Sequence, residues 1–166
     1  MRVPEEKIGV KLHDKAATEI NRKLGDLPWL CNRFGVAQIY EDEGGSFPGI
    51  TENDGSLSNL RIYPEKSAEA FSFHLYESAE ILDPEEPYHF DLSMSLCVWG
   101  NLQEIGDRGY DYSTELILEV IEKLSESGAQ VLGYEIDFDF EGWDYQFLMR
   151  PNWGVQIDYT YLITKC

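Results

Sequence analysis

The sequence predicts an α+β domain, with a mainly antiparallel or mixed sheet of about five strands and two helices packed on one face. Three observations carry this. Residues 88–99 alternate apolar and polar side chains, with Tyr88, Phe90, Leu92, Met94, Leu96 and Val98 in phase, the pattern of a strand with one buried face. Residues 5–27 and 112–126 instead repeat their apolar residues at helical spacing. One-sided alternation also argues against a doubly wound parallel fold, whose strands are apolar on both faces.

Pro4 suits the first position of the helix over 5–27, and Glu5 and Glu6 face the positive end of its dipole. Ile8, Leu12, Ala16, Ile20 and Leu24 form its core stripe, flanked by Ala17 and Leu27. Lys7, Lys11 and Lys15 form a second stripe about 100° away, since each precedes an apolar position by one residue. Pro28 ends the helix. Residues 33–41 read as one strand. Residues 42–58 hold Gly44, Gly45, Pro48, Gly49 and Gly55 among polar residues and read as a long flexible loop or hairpin.

Leu60 to Tyr63 reads as a short strand stopped by Pro64. In residues 70–77, Phe71, Phe73 and Leu75 share one face, while Ser72, His74 and Tyr76 share the other; the expectation is a half-buried strand with Phe71 inside. Asp83 to Pro87 is a turn before the long strand at 88–99. In the helix over 112–126, Ile117, Val120, Ile121 and Leu124 face the core; Asp111 or Ser113 can cap it and Gly128 can end it. Leu132, Tyr134, Ile136, Phe138 and Phe140 are in phase over 131–140, as are Val155, Ile157, Tyr159, Tyr161 and Ile163 over 155–163. Leu92, Met94, Leu96 and Val98 are expected to pack under the second helix in one core. No linker divides the chain, so residues 1–166 are expected to form a single domain.

Composition excludes several functions. The 166 residues carry 13 Lys+Arg against 31 Asp+Glu, a formal net charge of −18, with 13% aromatics. Phosphate binding needs cations that displace counterions, so neither sequence-specific nucleic-acid binding nor an anionic membrane surface is expected. The aromatic content argues against disorder. Residues 1–15 show no secretion signal, and no apolar run approaches a membrane span. Cys31, Cys97 and Cys166 match no zinc or redox spacing and read as free thiols in a reducing cytoplasm. The charge is split: residues 1–30 carry +1 and the remainder −19, an asymmetry that marks an interaction surface.

No segment forms a strong catalytic motif. Asp137, Asp139, Glu141 and Gly142 resemble the start of an EF-hand calcium loop, but its twelfth position is Leu148, where a bidentate Glu is needed. On a strand these acids stand about 7 Å apart along one face, so a solvated acidic face explains them better than a metal site. His89 and Cys97 are eight residues apart, about 26 Å along a strand, too far for a nucleophile pair; His74 can meet one of them only across neighbouring strands. Gly44-Gly45 lacks the spacing and Lys-Ser/Thr of a phosphate loop. Trp29, Trp99, Trp143 and Trp153 can form a sugar platform, but a core of this size uses four tryptophans without a ligand. No cofactor, metal or catalytic residue is expected. The lysine stripe is either a solvated face paired within its own chain or a surface that docks on an acidic neighbour.

The order of elements resembles the phage tail terminator and tail-completion family of prophage-like elements. The resemblance rests on layout: a helix ending in Leu27-Pro28-Trp29-Leu30, a long central strand through Ser93-Met94-Ser95-Leu96-Cys97-Val98-Trp99-Gly100-Asn101-Leu102, a helix opening Thr114-Glu115-Leu116-Ile117-Leu118, then Leu148-Met149-Arg150-Pro151 and a last strand into Tyr161-Leu162-Ile163-Thr164-Lys165-Cys166. The loop at 42–58 has no counterpart in that layout. The resemblance implies a structural, non-enzymatic subunit that forms a homo-oligomeric ring, often of six copies, on the tail tube and meets head-completion proteins. It implies residence in the host cytoplasm during assembly and then in the virion or phage-like particle. Lys7, Lys11 and Lys15 are the candidate interface residues, and an acidic body suits a channel through which DNA passes without sticking. The alternative is an acidic inhibitor of a basic partner, of the immunity or DNA-mimic kind.

Calcium is expected to leave the melting temperature unchanged beyond screening. Saturation at 100 times a dissociation constant stabilises a protein by about 2.7 kcal/mol, so a calcium-specific upward shift abolished by Asp137→Ala would reveal a real site.

Overall fold

The structure is a computed structural model that describes residues 12–30, 32–43, 45–51, 57–59, 70–101, 113–136 and 152–164. It is an α+β fold built on the long strand expected near residue 90. That strand, β6 (Glu86–Asn101), pairs antiparallel with β5 (Ala70–Asp83) on one side and with β8 (Asn152–Thr164) on the other. β1 (Asn32–Val36) adds in parallel to β5, and β7 (Gln130–Ile136) adds antiparallel to β8. The result is a mixed five-stranded sheet of order β1-β5-β6-β8-β7.

Helices α1 (Leu12–Leu24) and α2 (Ser113–Glu126) lie on one face. Ala16, Ile20 and Leu24 of α1 meet Leu116, Ile117, Val120 and Leu124 of α2 over Leu92, Met94, Leu96 and Val98 of β6 and Val155, Ile157, Tyr159 and Ile163 of β8. Ile121 packs at the margin. The in-phase apolar sets of the sequence therefore do meet in one core. α2 ends as its sequence predicts: Gly128 has φ +98°, its N–H donates to the Ser125 carbonyl, and Ala129 N–H donates to the Leu124 carbonyl. This paired cap satisfies carbonyls that the helix leaves open.

The structure corrects several expectations. The strand at 33–41 is two strands. The chain leaves the large sheet after Val36, buried Ala37 donates its N–H to the His74 carbonyl at 2.8 Å, and β2 (Gln38–Asp42) belongs to a second sheet. Of the loop or hairpin expected at 42–58, the hairpin holds: β3 (Gly45–Thr51) and β4 (Leu57–Asn59) pair antiparallel and complete that sheet in the order β2-β3-β4. Glycines and Pro48 hide the strand in the sequence. The cross-strand pair Tyr40–Phe47, with ring centroids 5.7 Å apart, supplies apolar contact there. Pro48 has no N–H to donate, yet it holds its place in the ladder opposite Ile39 of β2.

β5 buries Phe71 and Phe73 as its alternation predicts, but over Ala70–His74 it is buried on both faces rather than one. Ser72 and His74 point toward the helices and are fully buried, whereas Phe71 and Phe73 join Ala37, Cys97 and Trp99 in a second, smaller core on the opposite face. Phe34, Ile50 and Leu75 border it. Both faces of the sheet are thus covered at this end, and alternation alone does not tell which face meets the helices. β7 carries the opposite surprise: Leu132, Tyr134 and Ile136 are exposed, because β7 is an edge strand and a register shift between Val131 and Gly133 displaces Leu132. α1 is shorter than 5–27 at its described end, stopping at Leu24 with a turn at Gly25 and Asp26. Residues 5–11, the strand at Leu60–Tyr63 and residues 137–140 lie outside the described residues.

Gly128→Ala is expected to cost about 1 kcal/mol or more, since a Cβ is disfavoured at positive φ. Gly133→Ala, with open space around its Cβ position, should change stability by less than about 0.5 kcal/mol. Urea unfolding of the two variants checks the contrast.

Candidate functional site

The most distinctive surface follows from strand length. At about 3.3 Å per residue the 16 residues of β6 extend about 53 Å, and burial ends before the strand does: Leu92 is buried, Phe90 half-buried and Tyr88 exposed. The exposed end is an arm in which β5 and β6 continue beyond the larger core and reverse at Pro84-Glu85. Asp83 sets that turn by accepting the Glu85 N–H on Oδ1 at 2.9 Å, an Asx turn.

Every residue of β5 from Tyr76 to Asp83 is exposed, as are Glu85, Glu86, Tyr88 and His89. Ile81, Leu82 and Tyr88 are 52%, 53% and 61% exposed. Ile81 pairs with Phe90, and Tyr88 shares Phe90's face two positions further out. Sequence alternation places Tyr88 and Phe90 in the core; Tyr88 is instead exposed and Phe90 half-buried at the margin of the larger core. The arm is also purely anionic: residues 70–101 contain Glu77, Glu80, Asp83, Glu85, Glu86 and Asp91 and no Lys or Arg. The apolar doublet Ile81-Leu82 beside a turn was the available signal for an exposed arm.

At the arm's base the sheet is locked to α1 through His74. Asn21 Nδ2 donates to the Phe34 carbonyl at 3.0 Å, which turns its Oδ1 toward His74 Nε2 at 2.8 Å. Nε2 is therefore the donor and Nδ1 the acceptor, receiving the Tyr159 hydroxyl at 2.9 Å. Burial lowers the His74 pKa to about 3, so the ring stays neutral, and burial raises the Tyr159 hydroxyl. The set joins α1, β1, β5 and β8. About two turns earlier in α1, His13 stacks on Tyr76 with centroids 4.5 Å apart, holding that part of the helix against the arm's root.

The remaining candidates are dispersed. Cys97 lies on the sheet face opposite His74, and its thiol is raised by burial and by the Asp158 charge, so the two form no nucleophile pair. His89 is exposed on the arm, with Nδ1 3.1 Å from Thr164 Oγ1. On the face away from the helices, Ser95 Oγ donates to Asp158 Oδ1 at 2.7 Å and Gln156 Nε2 approaches the same oxygen at 3.3 Å; this is a cross-strand polar set with no base beside it. A cleft of about 200 Å³ lies between Asp14, Val36, Tyr40 and Ile50, below the roughly 300–1,000 Å³ of ordinary small-molecule sites. Trp29 and Trp99 are buried in separate cores, so they make no platform.

Lys15 is exposed on α1 and has no ion pair among the described residues; Lys7 and Lys11 lie outside them, as do Asp137, Asp139, Glu141, Gly142, Leu148, Trp143, Cys31 and Cys166. Among the described residues, no group of three His, Cys, Asp or Glu is placed to hold a metal, and no helix is long and apolar enough to cross a membrane. No protein-family model matches the chain, and no curated protein does either.

The His74 set makes stability depend on pH. Below the ordinary His pKa of 6.5 an unfolded chain takes up a proton that folded His74 refuses until about pH 3. Acid therefore favours unfolding, and the contribution, full above pH 6.5, is lost as pH falls toward 3. Over that whole window it amounts to at most about 5 kcal/mol. His74→Phe should be less stable at pH 7, because Asn21 and Tyr159 lose their partner, yet show a shallower loss of stability between pH 6.5 and 3. Urea titrations across that range check the slopes.

Proposed function

We propose that the protein is a non-enzymatic structural subunit of a phage-like tail, a tail terminator or head–tail joining protein that closes into a ring of like copies on the tail tube. The observation that supports this reading is the presence of two unlike surfaces on one chain. One is the acidic arm with Ile81, Leu82 and Tyr88 exposed; the other is the cation-bearing outer side of α1. A contact between unlike patches is head-to-tail, and it generates a closed ring when the rotation between copies allows. The layout of elements that resembles the tail-terminator family points the same way, with neighbouring copies, the tail tube and head-completion proteins as partners.

The second reading, an acidic inhibitor of a basic partner, draws on the same anionic arm. Its weakness is the exposed apolar side chains at the arm's tip. A nucleic-acid mimic presents rows of carboxylates, whereas here three large apolar side chains interrupt them.

Reversal of Lys7, Lys11 and Lys15 to Glu is expected to leave the melting temperature nearly unchanged, because exposed ion pairs contribute only about 0–1 kcal/mol each. It should weaken assembly, most of all at low salt, where the Debye length is long. Sedimentation and negative-stain imaging with purified tail tubes at two salt concentrations check this. Capping by the triple variant equal to wild type would reduce the stripe to a solvated face. A wild-type protein that associates neither with tubes nor with itself would overturn the terminator reading.

A further inference from the structure

We infer that the tip of the β5–β6 arm docks on the outer side of α1 in a second copy of the chain. The inference rests on the ring reading for its biological setting, but its physical basis is separate. The arm presents three large apolar side chains near its tip, Ile81, Leu82 and Tyr88, each more than half exposed. Clustered exposed apolar residues on a soluble protein mark a surface that another molecule covers.

Charge selects the occupant. The arm's exposed carboxylates are Glu77, Glu80, Asp83, Glu85 and Glu86, with no cation among them. A protein surface that covers the arm's tip must bring positive charge or carry an electrostatic penalty. The described cations of this chain are Lys15, Arg22, Lys23, Arg33 and Lys123. Arg22 is held by Glu19 at 2.9 Å, Lys123 by Glu126 at 3.1 Å and Asp26 at 3.7 Å, and Arg33 by the Leu30 carbonyl at 2.9 Å. That leaves Lys15 and Lys23, both exposed on α1 and without an ion pair among the described residues. No ion pair among those residues joins the arm to α1 within one chain. The unmatched anions and the unmatched cations lie on different elements, so copies placed arm to helix satisfy both.

Reciprocal charge exchange tests this. In one variant, Glu77→Lys, Glu80→Lys and Glu85→Lys make the arm basic. In the other, Lys15→Glu and Lys23→Glu make α1 acidic. All five sites are exposed, so both variants should melt near wild type, which circular dichroism verifies. Sedimentation velocity at low salt should show wild type associating and each variant alone associating about tenfold more weakly or worse, the loss of one to two exposed pairs. The equimolar mixture should recover association, because the basic arm of one variant meets the acidic helix of the other, and the acidic arm meets the basic helix. Ile81→Ser combined with Leu82→Ser should weaken wild-type association without restoring it in any mixture.

A mixture no better than its components, or an arm variant that associates like wild type, overturns the contact. So does a wild-type protein that stays monomeric throughout. Tube capping separates this outcome from the functional reading. Variants that still cap tubes defeat the arm–helix contact and leave the terminator reading in place. Charge-matched association by a protein that never caps tubes supports the contact and defeats the terminator reading.

Discussion

The length of β6 is the constraint on which the rest of this structure depends. β6, at 16 residues, pairs with β5 along most of its length and with β8 from His89 to Asn101, which commits β5 and β8 to 14 and 13 residues. One end of the sheet is a two-faced core, with α1 and α2 on one side and the Phe71–Phe73–Trp99 cluster on the other. The other end is bare. Burial and exposure along β5 change over a single residue: Phe71 to His74 are buried, Leu75 is intermediate, and Tyr76 onward is exposed. The same strand thus supplies both the folding core and the surface most suited to a partner.

His74 joins these two halves. Burying an imidazole without partners is costly, and here both ring nitrogens are satisfied by groups from other elements, Asn21 and Tyr159. Because Asn21 is also bonded to the Phe34 carbonyl, the position of α1 is coupled to β1 as well as to β5 and β8. Such a fully satisfied polar set fixes one arrangement of helix on sheet where apolar packing alone tolerates sliding. The His13–Tyr76 stack repeats the coupling at the boundary of the arm.

Much of the fold was legible in the sequence, for a physical reason. Segments buried on one face carry a period, and the periods of β6, β8, α1 and α2 all marked the residues that form the larger core. Legibility failed where burial and alternation part company. Ser72 and His74 are polar yet buried, because His74's hydrogen bonds are made by residues 53 and 85 positions away, which no local pattern reveals. Tyr88, Tyr134 and Ile136 are apolar and in phase yet exposed, because helix coverage is a tertiary property. Gly45, Pro48 and Gly49 read as loop, although pairing with β2 makes them strand. For the candidate site, the lysine stripe was visible from spacing, but the arm was not: its residues were divided between a short strand, a turn and a core face.

The chemistry of the arm is consistent with a surface that must remain soluble before it is covered. An exposed hairpin with large apolar side chains is a hazard, since unpaired strand edges template the addition of other chains. Among the described residues β1 pairs with β5 only through His74, so the stretch from Leu75 to Asp83 is such an edge. Charged side chains along an edge are a means by which proteins discourage indiscriminate pairing. Here every charge is negative, and the rest of the chain, at −18 overall, is predominantly negative too. Two arms therefore repel each other, and so do an arm and the acidic edge strand β7, which carries Glu135. Repulsion of this kind disfavours arm-to-arm and edge-to-edge association, whereas Lys15 and Lys23 of α1, without an ion pair among the described residues, carry no such penalty. Specificity in such a system arises as much from the contacts that charge forbids as from the one it permits.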